Sequence, residues 1–195
     1  GLLERKLAAL KEKWAAPGKF ETMRQDYDRY TAALRRNPED LDMHEILAEL
    51  LSKSGDHGGA AGQYRALIDR VPGIARWHAG LAHEVAEAGR FPEARSEAEY
   101  ALVLDPRMAA PHFTLGFVLE HSAQPAGAMA EYEAALKIKP DYPEAHLRLG
   151  IILSRQGRYR EAVDRYREFL KLAPGSAETE NNLGFSLAKL GDLQG

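Results

Sequence analysis

Prolines recur along this chain at a constant interval of 34 residues, and this period constrains the fold more than any other feature. They occupy positions Pro38, Pro72, Pro106, Pro140 and Pro174. A leucine column keeps the same register, at Leu47, Leu81, Leu115, Leu149 and Leu183. An alanine column does so as well, at Ala60, Ala94, Ala128 and Ala162. A fixed period of about 20 to 50 residues is the signature of repeat architectures. The chain is therefore predicted to stack copies of one small unit.

Each unit is predicted to hold two helices joined by a tight turn. In residues 39–72, apolar side chains recur at helical spacing, at Ile46, Leu47, Leu50 and Leu51 and then at Tyr64, Leu67 and Ile68. A glycine column stands between the helices, at Gly55, Gly89, Gly157 and Gly191, with Ala123 in the remaining place. Glycine suits a turn that needs a left-handed backbone, and proline cannot continue a helix. The pattern indicates an all-α fold of antiparallel helix pairs with no strands.

The order of these marks resembles the tetratricopeptide repeat. The nearest unit contains His146-x2-Leu149-Gly150-x2-Leu153, then Ala162-x3-Tyr166, then Pro174. The resemblance covers about residues 39–195 and implies a right-handed α-solenoid that binds other proteins. The tryptophan of the family pattern is replaced by His44, His78, His112 and His146. Ala98 stands where the second helix usually carries an aromatic residue, so Tyr100 or Trp77 is expected to fill that junction.

The period also predicts the organisation of the chain. Residues 1–38 form a helical pair, with a first helix over 2–15, that acts as a degenerate or capping repeat. Four repeats follow, at residues 39–72, 73–106, 107–140 and 141–174. Residues 175–195 supply only the first helix of a truncated fifth repeat. We therefore expect that the native protein continues past residue 195, or that another chain covers this end through self-association or a larger assembly.

No constellation in the sequence predicts catalysis, a metal site or a cofactor. The chain contains no cysteine, which excludes disulfides and thiolate ligands. Four histidines share one column, but first helices of adjacent repeats lie about 8–10 Å apart. Histidine nitrogens bind a metal ion at only about 2 Å. A packing role is therefore expected for this column. His83-Glu84 lacks the second histidine of a zinc-protease helix.

Charge and hydropathy limit the classes of partner. The net charge of −3 does not favour a phosphate backbone, so no nucleic acid is expected as a partner. No apolar run approaches the roughly 20 residues that a membrane span needs. These features leave the compartment open, because both cytoplasmic and periplasmic proteins can have this composition.

The resemblance implies that a partner peptide lies in a concave groove lined by the first helix of each repeat. The groove residues implied in this way are Glu45, Glu49, His83, Phe113, Phe117, Leu147, Arg148, Ile151, Asn182 and Phe185. The set is acidic at its start and mostly apolar later. Large apolar patches usually mark binding sites, although the twist of a solenoid also buries some of these residues against their neighbours.

The sequence accordingly predicts a non-catalytic scaffold or adaptor that binds a peptide or helix of a protein partner. Two alternatives stay open. The chain could be the substrate-recruiting or regulatory arm of an enzyme whose catalytic domain lies outside these residues. It could also be a structural subunit of a larger assembly.

Overall fold

A computed structural model describes residues 5, 8–10 and 19–191; residues 5 and 8–10 are helical, residues 19–191 contain ten α-helices, and the described part of the chain contains no β-strand. In chain order the helices are α1 Lys19–Arg36, α2 Leu41–Ser54, α3 His57–Arg70, α4 Ala75–Glu87, α5 Phe91–Leu104, α6 Ala109–His121, α7 Pro125–Ile138, α8 Pro143–Arg155, α9 Tyr159–Leu172 and α10 Ala177–Lys189. The all-α prediction is confirmed. The predicted helix over residues 2–15 lies largely outside the described residues. None of the described helices combines the length and the hydropathy that crossing a bilayer requires.

Acidic caps begin helices of the first repeat, and the glycine column marks turns at helix ends. Asp40 and Asp56 cap the N-termini of α2 and α3, where each carboxylate accepts a hydrogen bond from a backbone N–H, at 3.1 and 2.8 Å. Gly55 ends α2 with a left-handed φ of +84°. Ala123 takes the equivalent place after α6 with a φ of +55°. Because its Cβ crowds the backbone there, this alanine costs about 1–2 kcal/mol relative to a relaxed conformation.

The chain divides into two compact units, Gly1–Leu104 and Asp105–Gly195. In the first unit, helices α1 to α5 pack in chain order, each of α1 to α4 against the helix that follows it. One buried cluster of this unit joins α1, α2 and α3 and consists of Met23, Tyr30, Ile46, Leu47, Leu50, Leu51 and Ala60. Its members on α2 are the apolar positions that the helical periodicity of residues 39–72 predicts.

In the second unit, helices α6 to α10 also pack in chain order. One buried cluster contains Phe113, Ala128, Tyr132, Ala135, Leu136, Ala145, Leu149 and Ile152. A second cluster contains Leu153, Ala162 and Tyr166. The buried leucine and alanine columns thus contribute to the core of this unit.

Close approach of a tyrosine ring to a glycine organises the helix pairs. A Cβ added at Gly116 would lie 2.6 Å from the Tyr132 ring, and one at Gly150 would lie 2.6 Å from the Tyr166 ring. In the first unit the corresponding place is Ala48, so a ring cannot lie as close to that backbone. Tyr64 packs instead against Gly80 of the next helix pair, where an added Cβ would lie 2.5 Å from the ring.

In the helix pair α4–α5, small residues occupy both the glycine place and the tyrosine place. Ala82 and Ala98 are both buried, and the second helix carries no tyrosine at this level. Of the two aromatic residues expected to fill the junction, Trp77 is buried whereas Tyr100 is exposed. The Tyr100 ring lies edge-on to His78, with ring centroids 4.7 Å apart. Only Trp77 of these two therefore contributes a buried ring to this region.

The buried tyrosines predict a loss of stability at alkaline pH. Burial, followed by the charge of Glu144, raises the pKa of Tyr142 to about 12, and burial raises the pKa of Tyr64 and of Tyr132 well above the ordinary value. Between the ordinary pKa of 10.0 and a pKa of about 12, only the unfolded chain ionises Tyr142. The free energy of unfolding should therefore be unaffected by these groups below about pH 10 and fall above it.

Urea denaturation at several pH values, with tyrosinate absorbance recorded in parallel, tests this expectation. The urea midpoint should fall above about pH 10, and the tyrosinate of the buried rings should appear together with unfolding. Ionisation of all tyrosines near their ordinary pKa in a chain that stays folded would contradict it.

Candidate functional site

The histidine column connects the end of one helix pair to the beginning of the next. Nε2 of His44, His78 and His146 donates to the carbonyl of the proline six residues earlier, at 2.9, 2.8 and 2.9 Å. Nδ1 meets the residue 19 positions later, which is Gln63 for His44 and Glu97 for His78, at 2.7 and 2.6 Å. His112 meets Glu131 in the same way, at 2.7 Å. Hydrogen bonds within the chain therefore account for both ring nitrogens of His44 and His78.

His146 departs from this pattern. The residue 19 positions later is Arg165, whose side chain offers no acceptor. Nδ1 of His146 is buried without a hydrogen-bond partner. Within the described residues, no three histidine or acidic side chains come together in a way that could hold a metal ion. The imidazoles are thus spread along the chain, and each has its own hydrogen-bond partners.

In the first unit, the carboxylate of Glu45 joins α2 to α4. It accepts from Nε and Nη2 of Arg76 at 3.0 and 3.1 Å and from Nε1 of Trp77 at 3.0 Å. Because three donors already meet this largely buried carboxylate, its hydrogen-bonding capacity is largely used within the chain. Glu49 and His83, the other groove residues implied for this unit, are half-buried.

Glu84 is a buried carboxylate that sequence reasoning did not select. Its side chain is 3% exposed, and Oε2 lies 2.8 Å from Nδ1 of His57. Burial raises the pKa of Tyr64, and the charges of Glu49, Glu84 and Glu45 add to this effect, so all three carboxylates lie near enough to act on this phenol. A signal was present in the sequence: Glu84 occupies a column that elsewhere holds Leu50, Val118, Ile152 and Ser186, none of them charged. A charge at a position that the repeat buries indicates a specific partner.

In the second unit, one face is built from α6, α8 and α10. We call it the α6–α8–α10 face and define it by Phe113, Phe117, Glu120, Leu147, Arg148, Ile151, Arg155, Asn182, Phe185 and Lys189. Phe113 and Phe117 are buried in its floor. Phe113 stacks on Tyr142 with ring centroids 5.0 Å apart, and the Phe117 ring lies 5.0 Å below the Arg148 guanidinium.

Leu147, Ile151 and Phe185 are the more exposed apolar residues of this face. Leu147 and Ile151 are half-buried and pack at the edge of the core cluster of α8 and α9. Phe185 on α10 is 54% exposed, and its ring contacts Tyr159 edge-on with centroids 6.2 Å apart. Asn182 is half-buried, and its backbone carbonyl accepts from the hydroxyl of Ser186 at 2.9 Å. The hydroxyls of Ser154 and Ser186 lie 3.3 Å apart and link α8 to α10.

Glu120 organises the charges of the α6–α8–α10 face. Its Oε2 accepts from the hydroxyl of Tyr132 at 2.9 Å, while its Oε1 lies 3.8 Å from Nη1 of Arg148 and 3.9 Å from Nη1 of Arg155. Burial and the Glu120 charge both raise the pKa of Tyr132, which keeps this phenol a donor. Sequence reasoning missed Glu120, although it occupies a column of small residues that includes Ala86, Ser154 and Ala188.

Sequence profiles of one repeat family match both units. A profile described as TPR repeat matches residues 126–157, and two described as tetratricopeptide repeat match residues 143–176 and 28–75. No curated protein matches the sequence.

Solved structures resemble the chain along most of its length. The thermophilic TPR protein TTC0263 of Thermus thermophilus has a TM-score of 0.73 and 23% identity, over 95% of this chain and 99% of its own. PilF of Pseudomonas aeruginosa has a TM-score of 0.74 and 20% identity, over 97% and 85%. YrrB, described as a TPR protein with an unusual peptide-binding site, has a TM-score of 0.58 and 24% identity, over 85% of both chains. At these identities the likeness concerns the fold.

Proposed function

This chain belongs to the tetratricopeptide repeat family, and we propose that it is a non-catalytic module that binds a peptide segment of a partner protein on the α6–α8–α10 face. The profiles of this family indicate a protein-interaction module in general. The unusual peptide-binding site described for YrrB belongs to that protein, and by analogy it supports a peptide ligand here.

The observation that carries the proposal is the apolar strip formed by Leu147, Ile151 and Phe185. Phe185 is 54% exposed although it is a phenylalanine within a helix. It lies on α10, which the Ser154–Ser186 contact links to α8, where Leu147 and Ile151 are only half-buried. Exposed apolar area of this kind is typical of interaction surfaces, where a few large side chains supply most of the binding free energy.

The buried members of the face have a different proposed role. Phe113 and Phe117 offer little surface to a partner, so we assign them to holding α6 against its neighbours. Arg148 is stacked over Phe117 and stands beside Glu120, so it forms part of the wall of the face. In the first unit, Glu49 and His83 remain candidates for direct contact, whereas Glu45 would act indirectly by fixing Arg76.

Replacing Phe185 with alanine should therefore abolish most peptide binding while leaving the fold intact. Random peptides displayed on phage would be selected on the whole chain, and the tightest-binding peptide would be titrated calorimetrically. We expect Phe185→Ala to weaken its binding by at least about tenfold, as for a hot-spot aromatic residue. The matched control is Val103→Ala, which removes an apolar side chain that is 77% exposed on α5 of the other unit.

Two results would contradict the proposal. The first is a selection that enriches no binding peptide. The second is a selected peptide that binds the folded Phe185→Ala variant as tightly as the wild type, because the ligand would then lie elsewhere on the chain.

A further inference from the structure

We propose that the peptide bound on the α6–α8–α10 face carries an Asp or Glu side chain beside its apolar anchor, and that Arg155 binds this carboxylate. The inference rests on the proposed function and adds the chemistry of the partner. It depends on the position of Arg155, on how incompletely the chain neutralises it, and on the distribution of the other charges along α8 and α10.

Arg155 lies in line with the apolar strip. Leu147, Ile151 and Arg155 follow one another at intervals of four residues on α8. Side chains at this spacing are neighbours on one face of a helix, with Cβ atoms about 5–6 Å apart. Across the α8–α10 interface, the Ser154–Ser186 contact places the residues that adjoin these two serines, Arg155 and Phe185, at the same level. A peptide whose apolar side chain contacts Ile151 and Phe185 therefore passes next to the Arg155 guanidinium.

The chain neutralises Arg155 only in part. Glu120 is shared between two arginines, at 3.8 Å from Arg148 and 3.9 Å from Arg155. Charged hydrogen bonds between arginine and a carboxylate are shorter, about 2.7–2.9 Å. The other Glu120 oxygen accepts from Tyr132, so one negative charge balances two positive charges. The Arg155 side chain is 73% exposed, and its planar guanidinium suits a carboxylate that binds with both oxygens.

The remaining charges set the position of the acidic residue along the face. Glu144 lies in the first turn of α8, and Glu178 and Glu180 lie in the first turn of α10. Arg155 and Lys189 lie in the last turns of the same two helices. The N-terminal ends of α8 and α10 thus disfavour a carboxylate, whereas their C-terminal ends attract one. The acidic residue of the partner belongs beside Arg155 and Lys189.

The test uses the tightest peptide from the phage selection and a synthetic copy in which each Asp and Glu is replaced by Asn or Gln. We expect the selected peptides to contain an acidic residue next to an apolar one. The neutral copy should bind wild-type protein about tenfold more weakly, in the range expected for losing a charged hydrogen bond. Arg155→Gln should weaken binding of the acidic peptide by a similar factor and should leave binding of the neutral copy unchanged.

The matched control is Arg167→Gln, which removes the same charge from an exposed position on α9. It should leave both affinities unchanged apart from a small long-range effect that raised salt removes. The inference is overturned if the selected peptides lack acidic residues, or if Arg155→Gln weakens the acidic and neutral peptides equally. In both cases, sensitivity to Phe185→Ala would preserve the proposed function. A selection without any binding peptide would overturn both proposals.

Discussion

Replacing Phe117 with alanine should destabilise the folded chain by about 3–5 kcal/mol, the range measured when a buried phenylalanine is truncated in a protein core. The side chain is 8% exposed, and its ring contacts the His121 ring at 4.3 Å and the Arg148 guanidinium at 5.0 Å. Removal of the ring leaves a cavity in the floor of the α6–α8–α10 face and takes away the surface on which Arg148 lies. Urea denaturation followed by circular dichroism measures the loss directly.

Phe185→Ala supplies the matched comparison, because Phe185 occupies the same sequence column two repeats later and is 54% exposed. This variant should lose less than about 1 kcal/mol, as surface substitutions usually do. Within one sequence column, Phe117→Ala would then reduce mainly stability and Phe185→Ala would reduce mainly binding. Equal loss of stability in both variants would show that the burial of Phe117 contributes nothing specific to the fold.

Replacing Gly150 with alanine should destabilise the chain by about 1–3 kcal/mol, the usual cost of overpacking a core. The new Cβ would lie 2.6 Å from Cε1 of Tyr166, and a buried aromatic ring cannot withdraw as the end of a flexible side chain can. The substitution also improves helix propensity by about 1 kcal/mol, so the observed loss is a net value. The measurement is again the urea midpoint.

Gly62→Ala is the control for this effect. Gly62 lies inside helix α3, and a Cβ there would meet no atom within 4 Å. Only the helix propensity changes, so this variant should be more stable than the wild type by about 0.5–1 kcal/mol. A stabilising Gly150→Ala substitution would mean that helix α9 moves away without cost and that the close contact with Tyr166 is dispensable.

The period and the apolar spacing predict most of the fold, because both follow from local rules. A proline cannot continue a helix, and side chains three or four residues apart share one face. Leu47, Leu149 and Ala162 are buried as their columns imply. Which side chains contact one another depends on residues far apart in the sequence. The sequence marks Tyr64 and Tyr166 as equivalent, but the Tyr64 ring lies against Gly80 of the next helix pair and the Tyr166 ring lies against Gly150 of its own pair.

The sequence predicts which candidate residues lie on the first helices, but it does not predict how deeply each of them is buried. Periodicity distinguishes the faces of a helix, but contacts with other helices decide how far a residue protrudes. Arg148 of α8 covers the Phe117 ring, whereas no helix follows α10 within the described residues. Phe117 and Phe185 share a column, yet only Phe185 is exposed. Glu45 was selected as a contact for a partner, but its carboxylate binds Arg76 and Trp77. Such assignments need the positions of donors 31 and 32 residues away.

The bond between a histidine and the proline carbonyl six residues earlier fixes the length of the connection between helix pairs. It recurs at His44, His78 and His146 with nearly constant distances of 2.8 to 2.9 Å. An inserted or deleted residue between Pro72 and His78 would move the carbonyl away from the ring and leave a buried nitrogen without an acceptor, at a cost of about 1–3 kcal/mol. At these three places the bond therefore fixes the spacing from proline to histidine, which is one part of the 34-residue interval, and it opposes any change of length there.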